Sequence, residues 1–233
     1  MDISVERNLQ FPYATLTFAP GETTYIAHGS MIFMQGGLSL NAKLNAKGNG
    51  LGKLASAIGR SITSGESVFI TEVVSQSGGQ MAIAPATPGA IQVLEVGQVQ
   101  YRLNDRSFLA MDPTVGYSLK HQSLGKAFFG GQGGFFVMTT EGCGRILVNA
   151  FGSIAEVTLD DAQDFTIDNN HVVAWDAALD YRIELQSGFL GSIGTGEGLV
   201  NHFSGSGKIY IQTLNLKDFS EQLRPFLPSN SGN

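Results

Sequence analysis

Three things are scarce in this chain, and each scarcity excludes something. A single cysteine, Cys143, stands among 233 residues. That rules out an intramolecular disulfide or a cysteine-only zinc cluster and fits a reducing compartment. Charged residues make up 15% of the chain, against about 25% in ordinary globular proteins. With 42% hydrophobic residues and a net charge of only −6, it is too apolar to remain disordered. No stretch approaches the roughly 18 apolar residues of a membrane helix. The start, Met1-Asp2-Ile3-Ser4-Val5-Glu6-Arg7, is charged where a secretory signal needs its apolar core. These absences predict a soluble, cytoplasmic protein.

What is abundant is glycine, 30 residues of it, without the G-X-Y period of collagen. Between apolar runs rich in Val, Ile, Phe and Thr, glycines mark turns, so a large all-β domain is expected. Three segments align on an alanine: Tyr25-Ile26-Ala27, Phe108-Leu109-Ala110 and Val172-Val173-Ala174, each after a turn and each followed five residues on by Ile32, Val115 or Leu179. Each is followed by an apolar run, a glycine-rich segment and an alternating strand, read as a hairpin with a tight turn. The glycine segments are Gly78-Gly79, Gly142 with Gly144, and Gly205 with Gly207.

The copies place three pseudo-repeats at 11–100, 101–164 and 165–214. The first carries an insertion at 41–65, where Lys43, Lys47, Lys53 and Arg60 occur without any Asp or Glu. Leu51, Leu54 and Ile58 have helical spacing and predict a short amphipathic helix in it. Leu216, Phe219 and Leu223 predict a second helix at 215–224, stopped by Pro225 and followed by a flexible tail at 226–233. An acidic block runs from Glu156 to Glu184 with Arg182 as its only basic residue. It reads as solvated strand edges or as a head-to-tail partner for a neighbouring subunit's basic insertion.

Several of these segments carry a family resemblance. Ala27-His28-Gly29-Ser30-Met31, Gly65-Glu66-Ser67-Val68-Phe69, Ile167-Asp168-Asn169-Asn170-His171 and Phe203-Ser204-Gly205-Ser206-Gly207 occur in order, with Pro88-Gly89-Ala90-Ile91, Gly196-Glu197-Gly198 and Ile211-Gln212-Thr213-Leu214. The chain resembles the mitochondrial biogenesis family (altered inheritance of mitochondria 24-like, domain of unknown function 124). That resemblance implies a fold like the tryptophan RNA-binding attenuation protein: an all-β, double-stranded β-helix-like sandwich of antiparallel strands. It implies no reaction; eukaryotic relatives are associated with mitochondrial inner-membrane organisation.

For chemistry, His28, His171 and His202 with Glu197 form the candidate metal or ligand set, because imidazole and carboxylate converging on a pseudo-threefold axis would suit zinc. Cys143, in a turn with no neighbouring Cys or His, has nothing local to activate its thiol. The glycine runs at 130–134 and 191–198 lack the G-K-[ST] of a phosphate loop. An isoelectric point near 5.1, with 14 basic and 20 acidic residues, argues against nucleic acid. The expected function is a non-enzymatic, homo-oligomeric scaffold without a cofactor, whose interaction surface is Lys43, Lys47, Lys53 and Arg60. Its partners would be its own copies, another protein or an anionic membrane surface. A histidine and carboxylate pocket binding a metal or small ligand is the alternative, and RNA binding by fold analogy the third.

Overall fold

A computed structural model describes residues 1–44, 69–104, 106–122, 135–185 and 198–227. They form an all-β sandwich of antiparallel sheets, with one helix near the C-terminus. Strand β1 (Asp2–Val5) pairs with β2 at one end of the first sheet. The remaining strands fall into three groups. The first is β2 (Ala14–Phe18), β3 (Thr23–Ala27), β4 (Met31–Leu44) and β5 (Phe69–Ile83). The second is β6 (Ile91–Val96), β7 (Tyr101–Leu103), β8 (Phe108–Met111), β9 (Val115–Gln122), β10 (Phe135–Gly142) and β11 (Gly144–Asn149). The third is β12 (Ile154–Asp168), β13 (Val172–Asp176), β14 (Asp180–Leu185) and β15 (Leu199–Gln212).

Register shows that these groups are copies of one unit. The second half of the long strand β5 lies between β2 and the start of β4. Likewise β11 lies between β6 and β8, and the second half of β15 between the start of β12 and β13. The first half follows suit: β5 between β3 and the end of β4, β10 between β7 and β9, β15 between the end of β12 and β14. Even an irregularity recurs, since one residue is skipped in the ladder at Ile32, Leu109 and Val173. Such bulges turn the strand and re-aim its side chains.

Two expectations change here. Pairing groups the repeats as 14–83, 91–149 and 154–212, so the alignment on Ala27 is displaced by one strand: the counterpart of β8 and β13 is the start of β4, not β3. The glycine segments are also not hairpin turns. β5 and β15 run straight through them, and only Cys143 separates β10 from β11. Gly78, Gly142 and Gly205 have φ of 88°, 82° and 100°. Only glycine adopts that region without strain, so the chain kinks there and continues.

Beside each kink a cross-strand rung closes the unit. Gln35 donates to Gln80 at 3.2 Å, and Arg145 Nε donates to Asp112 Oδ2 at 2.9 Å. In the third repeat the Lys208 amide donates to Asp176 Oδ2 at 2.9 Å. Packing then joins the copies. One apolar cluster centres on the first repeat at Leu16, Val73 and Met81 and takes in Leu109 and Leu147 of the second, and another centres on the third around Trp175, Phe203 and Ile209 and takes in Val137. A central cluster, with Ile70, Leu103, Met111, Ile146 and Val173, draws on all three repeats. Burial of each large apolar side chain contributes about 1.5–3 kcal/mol.

Helix α1 (Leu216–Leu223) begins at Asn215, whose side chain accepts from the Asp218 amide at 2.8 Å. It docks by one edge-to-face ring contact, Phe151 to Phe219, with centroids 5.3 Å apart. Arg224–Phe226 form a single 3-10 turn. The inserted helix and nearly all of the predicted tail lie outside the described residues. Among the described residues, no helix is long and apolar enough to cross a membrane.

Candidate functional site

The three candidate histidines occupy different places. His28 is exposed in the turn between β3 and β4. His171 closes the short 3-10 turn before β13. Its Nδ1 lies 2.7 Å from the Gln212 carbonyl, and its Nε2 3.0 Å from the Asn215 amide nitrogen. A carbonyl only accepts, so the proton sits on Nδ1 and Nε2 accepts from Asn215. One ring nitrogen thus holds the end of β15 and the other the start of α1.

His202 sits mid-sheet on β15, with Nδ1 2.7 Å from Asp164 Oδ1 and 3.0 Å from Thr166 Oγ1. Its Nε2 lies 3.4 Å from Glu184 Oε1, and Arg182 Nε donates to the same oxygen at 2.6 Å. The acidic block therefore forms a charged ladder across β12, β15 and β14. Exposed pairs of this kind contribute little to stability. Among the described residues no group of three His, Cys, Asp or Glu is arranged to hold a metal ion. Glu197, Lys47, Lys53 and Arg60 lie outside the described residues, as does the side chain of Lys43 on β4. Cys143 is exposed between β10 and β11.

The perturbed acids lie elsewhere. Burial pushes the Asp176 carboxyl above the usual aspartate range, more than the Lys208 amide and ammonium lower it. Burial likewise raises the Tyr210 phenol strongly, with Tyr101 packed edge-on at 6.4 Å. These groups belong to the central and third-repeat packing.

The feature that stands apart from packing is a pair of strand edges that lack the partner by which one repeat joins the next. Within the chain, neighbouring repeats are joined by one type of ladder. Ile26 and Tyr25 of β3 pair with Ala110 and Met111 of β8, and Leu103 and Arg102 of β7 pair with Ala174 and Trp175 of β13. The strand of the first repeat equivalent to β8 and β13 is the start of β4. The strand of the third repeat equivalent to β3 and β7 is the end of β12. Among the described residues, β4 pairs with β5 alone and β12 with β15 alone.

The edges differ in chemistry. Leu109, Ala110 and Met111, and Val173, Ala174 and Trp175, are all at most 1% exposed. Their counterparts Ile32, Phe33 and Met34 are 54%, 43% and 39% exposed, as apolar as the buried copies yet uncovered. The outer end of β12 is polar and exposed through Gln163, Asp164 and Thr166, with Phe165 among them. Sequence reading counted Ile32 as a spacing landmark and passed over Phe33 and Met34. The signal was the alignment itself, which, shifted by one strand, sets them against Ala110 and Met111.

A second feature is a cleft of about 660 Å³ where the turn before β8, the turn before β13 and α1 meet. Asn104, Arg106, Asn149, Asn169 and Lys217 are among its lining residues.

Comparison with known proteins agrees with this architecture. The model of the mitochondrial biogenesis AIM24 family matches residues 3–214. The uncharacterized protein M6_Spy0233 of Streptococcus pyogenes serotype M6 is 53% identical over 231 residues, 99% of this chain and 93% of its own length. The X-ray crystal structure of protein SPYM3_0169 from Streptococcus pyogenes superposes with a TM-score of 0.83 at 50% identity, covering 97% of this chain and 99% of that one. A match along nearly the whole length in both sequence and fold places this chain in the mitochondrial biogenesis AIM24 family.

Proposed function

We propose that the protein is an interaction scaffold that assembles head-to-tail with its own copies, the outer edge of β12 in one chain pairing with the start of β4 in the next. The observation behind this is the uncovered trio Ile32, Phe33 and Met34, whose counterparts in the other two repeats are buried beneath a neighbouring repeat. A free hydrophobic edge invites strand addition. Here the interior of the chain already supplies the geometry of that addition twice.

Charge favours the same pairing over a β4 to β4 contact. The end of β12 carries Asp164 and Asp168, while β4 has no acidic residue and leads through Lys43 into the basic insertion. Like edges would set β12 acid against acid, whereas unlike edges bring opposite charges together. Because the two surfaces differ, the contact is heterologous, and its rotation per subunit decides between a closed ring and an open filament.

Light scattering on the purified chain tests this reading. The wild type is expected at a multiple of 24.8 kDa at micromolar concentration, and Phe33→Glu at the single-chain mass with an unchanged circular dichroism spectrum. A wild type that stays at the single-chain mass throughout that range overturns the proposal.

A further inference from the structure

An exposed methionine is an apolar side chain that a peroxide converts into a polar one, and this chain gathers its accessible thioethers in one place. Its six methionines divide sharply by exposure. Met81, Met111 and Met138 are at most 4% exposed, and the Met1 side chain is 3% exposed. Met31 and Met34 are 43% and 39% exposed. Both stand at the start of β4 and flank Ile32 and Phe33, within the edge that no neighbouring repeat covers.

The other two repeats show what surroundings a docked edge would give these side chains. The counterpart of Met34 in the second repeat is Met111, which pairs with Tyr25 of the preceding repeat and is fully buried. The counterpart of Met31 in the third repeat is Val172, buried as well. A reduced thioether suits an edge that is exposed in a free chain and covered in an assembled one, because it is apolar and adapts its shape to what it meets. A sulfoxide does not. It carries a strong dipole, and burying that group without a hydrogen-bond donor is unfavourable.

We propose that Met31 and Met34 are oxidation sites that switch the β4 edge between a docking and a non-docking state, an inference that rests on the head-to-tail reading. The sulfur lone pair attacks one oxygen of a hydroperoxide and the O–O bond breaks. The departing oxygen takes up the proton left on the transferred one, so hydrogen peroxide yields the sulfoxide and water. Sulfur loses two electrons and the peroxide gains them. A dithiol acting through a methionine sulfoxide reductase reverses the step: the sulfoxide oxygen leaves as water and the dithiol becomes a disulfide. Free chains offer both sulfurs to the oxidant, whereas assembled chains shield theirs.

Hydrogen peroxide treatment of the full chain at high dilution, in a Cys143→Ser background that removes the exposed thiol, tests the switch. Peptide mass spectrometry should find one added oxygen at Met31 and at Met34 at least about tenfold faster than at Met81, Met111 or Met138, as their accessibility dictates. After concentration, light scattering should find the oxidised chain at the single-chain mass, its association weakened at least about tenfold, and assembled again after reductase and dithiothreitol. Met31→Leu combined with Met34→Leu keeps an apolar edge without sulfur. That variant should assemble before and after peroxide, with an unchanged circular dichroism spectrum. An untreated parent chain at the single-chain mass overturns the head-to-tail reading and this one with it. Full assembly of a chain oxidised at both methionines, oxidation of Met81 as fast as of Met31, or dissociation of the double-leucine variant in peroxide overturns this inference alone.

Discussion

Asp176 shows how much one side chain can be asked to do. It ends β13, accepts the Lys208 amide and lies where burial penalises its charge, so its carboxyl titrates above the ordinary range. A folded-state pKa above the unfolded value means the fold prefers the protonated acid. The resulting stability is fully present below the unfolded pKa, about 3.9, and is lost as pH rises through the folded value. At neutral pH the buried charge is a net cost. Asp176→Asn keeps an oxygen for the Lys208 amide and removes that charge. Urea titration should show a higher unfolding midpoint for the variant at neutral pH, with the gain shrinking as pH falls into the aspartate range. An equal gain at both pH values would mean that the effect is not electrostatic.

At the scale of elements, the long kinked strands organise the molecule. The sequence announced that glycines recur at matched positions but not what they do there, because a tight hairpin and a kink within one strand call for the same residue. Pairing decides between them: Gly79 is laddered with β4 and β2 on either side, and Gly78 lies beside it within the same continuous strand. Gly144 shows the second reason for glycine. With φ of 138°, an added Cβ would sit 2.8 Å from Thr114 Oγ1 and 3.0 Å from Asp112 Cβ, inside the rung that Asp112 makes with Arg145. Gly144→Ala should therefore lower stability by about 1–3 kcal/mol, from backbone strain and a displaced rung together. Chemical denaturation measures it, and a loss within experimental scatter would show that the kink tolerates a side chain.

The strand content and the helix at Leu216–Leu223 were legible because alternation and helical spacing are local signals. Repeat boundaries were less so, since Ala27 and Ala110 look alike in sequence while belonging to different strands of the unit. The open edge was hidden for the same reason: Ile32, Phe33 and Met34 resemble buried strand residues, and only three-dimensional pairing shows them uncovered. The cleft drew no notice because Asn104, Asn149 and Asn169 are separated in sequence and meet only when the second and third repeats pack.

At the scale of the whole molecule, three repeats make two internal junctions among the described residues, one through β3 and β8 and one through β7 and β13. In the head-to-tail scaffold the third is completed by a neighbour, so part of the folding free energy becomes intermolecular. Mass action then makes thermal stability depend on protein concentration. The melting temperature of the wild type should rise with concentration, while that of Phe33→Glu should not. A wild-type melting temperature independent of concentration would contradict a stabilising contact at β4.

The second repeat has a particular place in this design. Its long strand changes sheets: β10 lies in the seven-stranded sheet, β11 in the eight-stranded one, and Cys143 is the single residue between them. The chain's only thiol therefore stands, exposed, at one of the covalent crossings between the two sheets. A fluorophore or spin label attached there needs no engineered site, and it would report directly on whether the two layers separate or move as one body.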